Sequence, residues 1–356
     1  MKLFAAIDIG SYEVEMKIFE ITSGKGIKEI DCVCHRMELG KDVYRDGRIS
    51  VEMTDELCRV LNDFVRIMKG YRVDDWRVCA TSAVREAANQ LVFLDRVKRH
   101  TSLDVEVLSN ASQRFMDYKS IASRENEFNR MIQKGTAIVD VGGGSIQISL
   151  FDKDRLVASQ NMKIGNLRLR ERMMNERVSL KHYETLLTEV VRNEFLAYKK
   201  LYLKDRVISN LIVVGDHIGD AVHKTVMTRA DFLQFYDEVI YRSDEDAAGR
   251  CEVPEDVISV LRPSLVVYRC FLEATEVENI WMPGLHLTDG MAYEYAQQSK
   301  LLKLGHDFDE DILAAARNAA KRYQCSKSHI KVCEDMAVGI FDKIRKIQGL
   351  TDRDRL

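Results

Sequence analysis

The sequence predicts an α/β protein built from two copies of one folding unit, followed by a short helical segment at the C-terminus. Each half of the chain begins with three consecutive strand-like hydrophobic patterns, and alternating helix and strand patterns follow them. In each half the first strand ends in an aspartate and a glycine-containing turn, at Asp8–Ser11 and Asp140–Ser145. This internal repetition predicts a duplicated fold, and 356 residues are enough for two hydrophobic cores.

The first copy begins with apolar strand patterns and continues with segments whose apolar residues recur at helical spacing. The predicted strands are 4–9, 13–21, 28–34, 77–80 and 104–108. The predicted helices are 51–68, 83–99 and 111–123. Thr81 or Ser82 is the predicted N-cap of the second helix, because hydroxyl side chains accept the unpaired N–H groups of a first turn.

The second copy repeats this order. Its predicted strands are 136–141, 146–151, 155–163, 211–214 and 279–282, and its predicted helices are 180–202, 230–241, 255–274 and 287–298. Polar residues around 124–135 predict a boundary between an N-terminal domain of residues 1–124 and a second domain of residues 125–298. Residues 299–356 are predicted to form a C-terminal helical segment.

Composition limits the classes of partner. The chain has 53 basic and 56 acidic residues, and this balance gives no general attraction to nucleic acid or to an anionic membrane. No apolar run reaches the roughly 18 residues of a membrane span, and the N-terminus leads into an acidic strand pattern instead of a signal peptide. We therefore expect a cytoplasmic protein that holds an anionic substrate at a local site.

The two aspartate–glycine turns are the strongest candidates for that site. Glycines let backbone N–H groups approach an anion closely, and serine adds a hydroxyl donor. The predicted phosphate-binding residues of the turns are Gly10, Ser11, Gly142, Gly143, Gly144 and Ser145. Asp8 and Asp140 are predicted to hold Mg²⁺, since hard cations prefer carboxylate oxygen. Either turn alone is equally typical of a structural hairpin, but the duplication favours a ligand site.

A third candidate lies where a helix follows a strand, at Thr81–Ala87. The N-terminus of a helix attracts anions, so Thr81 is predicted to contact phosphate. Arg85 is predicted to add a bidentate grip on a phosphate group. The alternative for Arg85 is an ordinary helical arginine that pairs with a neighbouring glutamate.

Four segments carry a resemblance to a known family: Ile7–Ser11, Thr81–Ala87, Asp140–Ser145 and Ile164–Leu169. In order and spacing they are similar to motifs of the exopolyphosphatase/guanosine pentaphosphatase (Ppx/GppA) family, over most of residues 3–350. The resemblance implies the duplicated ribonuclease-H-like fold of actin-like ATPases, with a cleft between the domains. It also implies Mg²⁺-dependent hydrolysis of the terminal phosphoanhydride of inorganic polyphosphate or pppGpp, and a homodimer.

The chain departs from this family where a glutamate is the proposed catalytic base. The family's paired glutamates align with Ser112 and Gln113, and Gln147 replaces the glutamate that ends the third motif. This predicts an alternative function, a polyphosphate- or pppGpp-binding or sensing protein with slow or absent hydrolysis. A substitute such as Asp216 or Asp117 would have to supply the carboxylate of an active enzyme, although Asp216 is also a simple N-cap candidate.

Two further interpretations remain open from the sequence. An actin-like ATPase or sugar kinase is a third function, but the segment Thr81–Ala87 argues against it. The C-terminal segment resembles the opening helix of an HD-type domain, which longer relatives of the family carry.

Overall fold

The first half of the chain forms a five-stranded sheet around strand β1 (Lys2–Ile9), whose apolar residues are buried. The computed structural model describes residues 1–24, 26–173, 180–203, 206–215, 217–302, 305–349 and 355. The other strands of the first sheet are β2 (Glu13–Thr22), β3 (Gly26–Arg36), β4 (Asp75–Ala80) and β5 (Val105–Val107). Their order is β3-β2-β1-β4-β5. Strands β1, β2 and β3 are antiparallel neighbours, and β4 and β5 continue the sheet in parallel.

Six helices accompany this sheet, and two of them were not predicted. They are α1 (Leu39–Asp46), α2 (Val51–Tyr71), α3 (Ser82–Glu86), α4 (Gln90–Thr101), α5 (Asn110–Ala122) and α6 (Glu125–Ile132). Helices α1 and α6 are the unpredicted ones, and α6 lies in the polar segment that was predicted to contain the domain boundary. The N-cap of helix α2 is Ser50, whose side chain accepts a hydrogen bond from the Met53 amide at 3.3 Å.

The prediction of one helix over 83–99 is wrong, because the chain breaks between α3 and α4. The Ala88 amide donates to the Gly47 carbonyl at 2.9 Å. The Asn89 side chain accepts from the Ile49 amide at 3.0 Å and donates to the Ile49 carbonyl at 2.8 Å. These tertiary hydrogen bonds replace the helical ones, and sequence spacing alone does not reveal them.

The second half forms a six-stranded sheet with the same core arrangement. Its strands are β6 (Thr136–Val141), β7 (Ile146–Asp152), β8 (Arg155–Met162), β9 (Asn210–Val214), β10 (Val226–Thr228) and β11 (Asn279–Trp281). The order β8-β7-β6-β9-β11 repeats that of the first sheet, with antiparallel and parallel pairs at equivalent places, and β10 adds an edge strand. The predicted duplicated ribonuclease-H-like α/β fold is therefore confirmed.

The helices of the second half cover this sheet and return to the first one. They are α7 (Asn166–Met173), α8 (Leu180–Tyr198) with a π-helical turn at Lys199–Leu203, α9 (Ile218–Val222), α10 (Arg229–Val239), α11 (Asp244–Cys251), α12 (Glu255–Ala274) and α13 (Leu287–Gln298). Most of their buried residues form one large core with the second sheet.

Helix α13 packs against the first sheet. Its apolar residues share a core cluster with β1, β2 and α5, and Tyr295 stacks on Phe4 with ring centroids 4.2 Å apart. Gly290 is where α13 crosses the backbone of α5, because a Cβ there would collide with the Met116 carbonyl. Helix α13 therefore holds α5 in place. The domain limits at 124/125 and 298/299 stay predictions.

The C-terminal segment contains α14 (Phe308–Arg322) and α15 (Lys327–Gln348). Asp311 of α14 accepts a hydrogen bond from the Leu156 amide at 3.0 Å, and this bond fixes α14 to strand β8. The same carboxylate lies 2.6 Å from His306 Nε2. Helix α15 leaves apolar side chains such as Met336 and Ile340 exposed. Within the described residues, every helix is too short or too polar to cross a membrane.

Candidate active site

The predicted site residues of both halves meet at one cavity of about 120 Å³. Strands β1 and β6 end there, because the duplicated sheets place their equivalent strand ends at the same cleft. The predicted residues that line it are Asp8, Gly10, Ser11, Thr81, Gln113, Asp140, Gly142, Gly143 and Ser145. The cavity is large enough to hold several water molecules.

The two turns have the same hairpin geometry. The Gly10 amide donates to the Glu13 carbonyl at 3.0 Å, and the Gly142 amide donates to the Ser145 carbonyl at 3.0 Å. A Cβ at Gly10 would lie 2.7 Å from the Glu13 oxygen, whereas one at Gly142 would meet the Ser145 oxygen at 3.4 Å. The first turn therefore requires glycine more strictly than the second.

The turns face each other across the cleft. A Cβ at Gly143 would lie 2.8 Å from the Ser11 side chain, and one at Gly144 would collide with Tyr44. The Ser11 hydroxyl is hydrogen-bonded to the hydroxyls of Tyr44 at 2.7 Å and Ser82 at 2.8 Å. The glycines thus let the two halves come into contact. The hydroxyl groups of Ser11, Tyr44 and Ser82 form a hydrogen-bonded cluster beside them.

The segment Ile164–Leu169 supports the second turn from behind. The Asn166 amide donates to the Gly142 carbonyl at 3.1 Å, and the Arg168 amide donates to the Gly143 carbonyl at 3.0 Å. The Arg168 guanidinium lies 4.0 Å from the centre of the Tyr44 ring and pairs with Glu86 at 2.9 Å. This segment therefore fixes the turn and also links the two halves.

Asp8 lies among other acids at the end of β1. Its Oδ1 atom is shielded from solvent and has no hydrogen-bond partner. Burial raises the pKa of Asp8 well above its ordinary value, and the charges of Glu15, Glu13 and Asp140 raise it further, against an opposing effect of His286. A carboxylate in this position lacks a counter-charge from the protein.

Asp140 has a different environment at the end of β6. Its Oδ2 atom accepts hydrogen bonds from the amide groups of Gln113 at 3.4 Å and Gln147 at 3.3 Å. Gly215, at φ +78°, passes close to the other oxygen, since a Cβ there would lie 2.6 Å from Oδ1. The two glutamines that replace glutamates therefore orient Asp140 and do not add negative charge.

Asp117 on α5 also lines the cavity, one helical turn after Gln113. The residue is 5% exposed, and its Oδ2 atom has no hydrogen-bond partner. Burial raises the pKa of Asp117, and the charges of Asp140 and Asp8 raise it further, while Arg114 lowers it. Three carboxylates from β1, β6 and α5 thus converge on one space.

The cavity carries a strong excess of acidic groups. Its carboxylates are Asp8, Glu13, Glu15, Asp117 and Asp140, and its only basic groups within the described residues are His217 and His286. His286 pairs with Glu15 at 2.8 Å, which lowers the pKa of Glu15 to about 2 and raises that of His286 to about 9, each against the opposing effect of burial. A phosphate chain would be repelled here unless a cation entered with it.

The donor set fits Mg²⁺. The ion prefers oxygen ligands, and proteins usually hold it with one or two carboxylates while water and substrate phosphates complete its shell. Asp8 offers a buried oxygen without a partner, and glycine leaves room beside Asp140. Among the described residues, no three or more histidine, cysteine, aspartate or glutamate side chains form a ready-made metal cage.

Several predicted residues lie outside the cavity. The Arg85 guanidinium donates to the Leu108 carbonyl at 2.6 Å and does not line the cavity, and its phosphate contact stays a prediction. Ser112 is hydrogen-bonded to the N-cap Ser109, with 2.9 Å between their hydroxyl oxygens. Gln147 lies behind Asp140, and Gly144 faces Tyr44 and Ser82. The predicted substitute Asp216 lies outside the described residues.

The sequence profile of the Ppx/GppA phosphatase family matches residues 17–299. The chain belongs to this family. It is 20% identical to a guanosine-5′-triphosphate,3′-diphosphate pyrophosphatase of Photobacterium profundum, over 96% of this chain and 67% of that protein. It is 27% identical to exopolyphosphatase 2 of Mycobacterium tuberculosis, over 48% of this chain and 54% of that protein.

The structural comparison agrees with the family. An exopolyphosphatase from Cytophaga hutchinsonii superposes with a TM-score of 0.73 and 18% identity, covering 85% of this chain and all (100%) of that one. This likeness shows the shared two-domain fold. The chain spans 26% to 67% of the length of the first curated relatives it matches.

The sequence predicts only some of the residues that line the cavity. Asp117 was named as one possible substitute, and its spacing of four residues from Gln113 is the signal that places both on one helical face. Glu13, Glu15 and His286 were not predicted. Glu13 and Glu15 alternate along β2 directly after the first turn, which is the pattern of side chains on one face of a strand.

Proposed function

We propose that this chain is a Mg²⁺-dependent phosphatase that hydrolyses the terminal phosphoanhydride of inorganic polyphosphate or pppGpp. The observation that carries the proposal is the meeting of Asp8 and Asp140, at equivalent strand ends, between two facing glycine turns. Family membership and the names of the relatives support the reaction class and the two candidate substrates.

The residues of the cleft would divide the tasks of the reaction. Asp8 and Asp140 would hold Mg²⁺, which when bound neutralises phosphate charge and polarises the terminal phosphoryl group. Ser145 and the backbone N–H of Gly143 would hold the phosphoryl oxygens, because preorganised N–H and O–H donors stabilise charge that develops in the transition state. The closely packed turns would exclude water other than the attacking molecule.

A second candidate function is a protein that binds the same phosphate chains without hydrolysing them. The observation that favours it is the use of Gln113 and Gln147 as amide donors to Asp140, where the family resemblance implies glutamates. Neutral amides do not accept a proton from water. This chain would then bind polyphosphate or pppGpp in the presence of Mg²⁺ and leave it intact.

Phosphate release separates the two functions. The purified chain is incubated with long-chain polyphosphate, pppGpp or ATP, with Mg²⁺ or with a chelator, and inorganic phosphate is measured over time. The phosphatase proposal predicts Mg²⁺-dependent release from polyphosphate or pppGpp that exceeds release from ATP. Binding of either compound without release supports the second candidate, and neither binding nor release contradicts both.

A further inference from the structure

We propose that Asp117 is the catalytic carboxylate of this chain, in place of the glutamates that are replaced at positions 112, 113 and 147. The inference rests on the proposed phosphatase function and assigns the group that orients and deprotonates the attacking water. Among the predicted substitutes, Asp117 is the one that the structure describes at the cavity.

The geometry of α5 carries the proposal. Gln113 and Asp117 both line the cavity, whereas Ser112 points to the N-cap Ser109. The carboxylate therefore lies one helical turn further along the same face than the position where the resemblance implies a glutamate. Asp117 lines the cavity, and its Oδ2 atom is buried without a hydrogen-bond partner in the protein.

The burial of Asp117 has no structural explanation in its contacts. A buried carboxylate costs folding free energy unless it is paired or hydrogen-bonded, and natural proteins keep such groups mainly where function needs them. Its neighbours on the same helix, Tyr118 and Met116, are buried in two apolar clusters on other sides of the helix, whereas Asp117 lines the cavity.

Neighbouring elements hold the carboxylate in a fixed place. Helix α13 crosses α5 at Gly290, directly against the Met116 carbonyl. Lys119 of α5 pairs with the buried Glu294 of α13 at 2.9 Å. Asp117 therefore lies on a helix that is anchored on both sides of it, which suits a group that must be positioned relative to a water molecule.

The proposed step balances without any further reactant. The water oxygen forms a bond to the terminal phosphorus, and the bond from that phosphorus to the bridging oxygen breaks. The bridging oxygen keeps the electron pair and leaves on the shortened phosphate chain. One water proton passes to the Asp117 carboxylate and is later released to solvent, and inorganic phosphate departs.

The test compares Asp117→Asn with the parent chain and with the matched control Asp335→Asn, an exposed aspartate on α15. Phosphate release from polyphosphate and pppGpp, the concentration of Mg²⁺ that gives half-maximal activity, and the melting temperature are measured. We expect Asp117→Asn to lower kcat about 10²–10⁴-fold, the range of a general base, with KM and the Mg²⁺ requirement changed less than about threefold. The control should match the parent.

Two further readouts separate a catalytic role from a structural one. Because Asp117→Asn removes a buried charge, the metal-free variant should melt about 2–4 °C higher than the parent, whereas loss of a structural contact would lower the melting temperature. Adding Gln113→Glu to Asp117→Asn should restore at least about one tenth of the lost turnover, since it returns a carboxylate to the same face.

The outcomes distinguish the two proposals. An active parent whose Asp117→Asn variant keeps full turnover overturns the assignment of Asp117 and leaves the phosphatase function standing. Activity of Asp117→Asn that recovers at high Mg²⁺ concentration makes the residue a metal ligand and also overturns the assignment. A parent that releases no phosphate from either compound overturns both.

Discussion

Asp8 and Asp140 occupy equivalent positions in the two halves of the molecule, yet their surroundings differ. Asp140 accepts hydrogen bonds from two glutamine amides, which hold its carboxylate in one orientation. Asp8 has a buried oxygen without a partner and faces Glu13 and Glu15 on the adjacent strand. The duplicated fold therefore supplies two carboxylates, one already stabilised by the protein and one that lacks a compensating group.

This difference shows which half of the site depends on a ligand. The Asp140 side can form in the empty protein, because amide donors satisfy it. The Asp8 side concentrates negative charge that a bound cation would relieve, since His286, the basic group that acts on Asp8, is already paired with Glu15. We infer that cation binding completes the first half of the cleft and prepares both halves for phosphate.

The largest effect is expected from removing either carboxylate. Asp8→Asn and Asp140→Asn should each lower Mg²⁺-dependent phosphate release by more than the 10- to 100-fold typical of a partner outside the metal's ligand shell. Their effects on the metal-free fold should be opposite. Asp8→Asn should raise the melting temperature because it removes an uncompensated charge, and Asp140→Asn should lower it because two charge-assisted hydrogen bonds weaken.

Phosphate-release assays and thermal melts in chelator check this pair. If Asp8→Asn melts below the parent, the carboxylate has a stabilising partner in the protein and the contrast between the two halves is lost.

A smaller effect is expected from the glycines of the two turns. Gly10→Ala should destabilise the fold by about 1–3 kcal/mol, because its Cβ would press on the Glu13 carbonyl in a backbone that cannot easily yield. Gly142→Ala should change stability by less than about 0.5 kcal/mol, because its Cβ meets the Ser145 carbonyl at ordinary contact distance. Denaturant unfolding of the two variants measures the difference, and equal losses would show that the turns are equally constrained.

Much of this comparison was predictable from the sequence. The repeated Asp–Gly turns, the succession of strands along each half and the bounds of α12 and α13 follow from hydrophobic periodicity and turn residues. Arg85 shows where such reasoning stops. Its helical position indicates an anion site, but sequence spacing does not reveal the hydrogen bond from its guanidinium to the Leu108 carbonyl, which follows a neighbouring strand.

Short helices were missed for the same physical reason. Helix α1 is stabilised by contacts with the other half of the chain. A Cβ at its Gly40 would press on Leu167 and on Ser11, and Glu38 at its N-terminus pairs with Arg170 at 2.6 Å. Eight residues are too few to form a stable helix from propensity alone, so tertiary contacts decide. The acidity of the cavity was likewise hidden, because Glu15 and Asp117 look like ordinary strand and helix residues.

The smallest predicted effect concerns pH and the Glu15–His286 pair. The pKa of His286 is raised from 6.5 to about 9, so its stabilisation is complete below pH 6.5 and is lost as the pH rises through 9. The pKa of Glu15 is lowered to about 2, so its part is present above 4.5 and is lost as the pH falls toward 2. The His286 side chain is 36% exposed, so solvent screening limits the basic loss to about 1–2 kcal/mol.

Chemical unfolding of the metal-free protein between about pH 6 and about pH 10 tests this expectation. His286→Gln should flatten the decline on the basic side. A parent whose stability is constant over that range would show that the pair contributes nothing to folding.

The proposed function requires a divalent cation to join the acidic cleft to a phosphate chain. Calorimetric binding of a methylene-bridged triphosphate, which cannot be hydrolysed at its bridges, measures this directly in the presence of Mg²⁺ and in chelator. We predict an affinity at least about 10²-fold higher with Mg²⁺, equivalent to about 2.7 kcal/mol, and loss of that difference in Asp8→Asn. Equal affinity of the parent chain in both conditions would contradict the account.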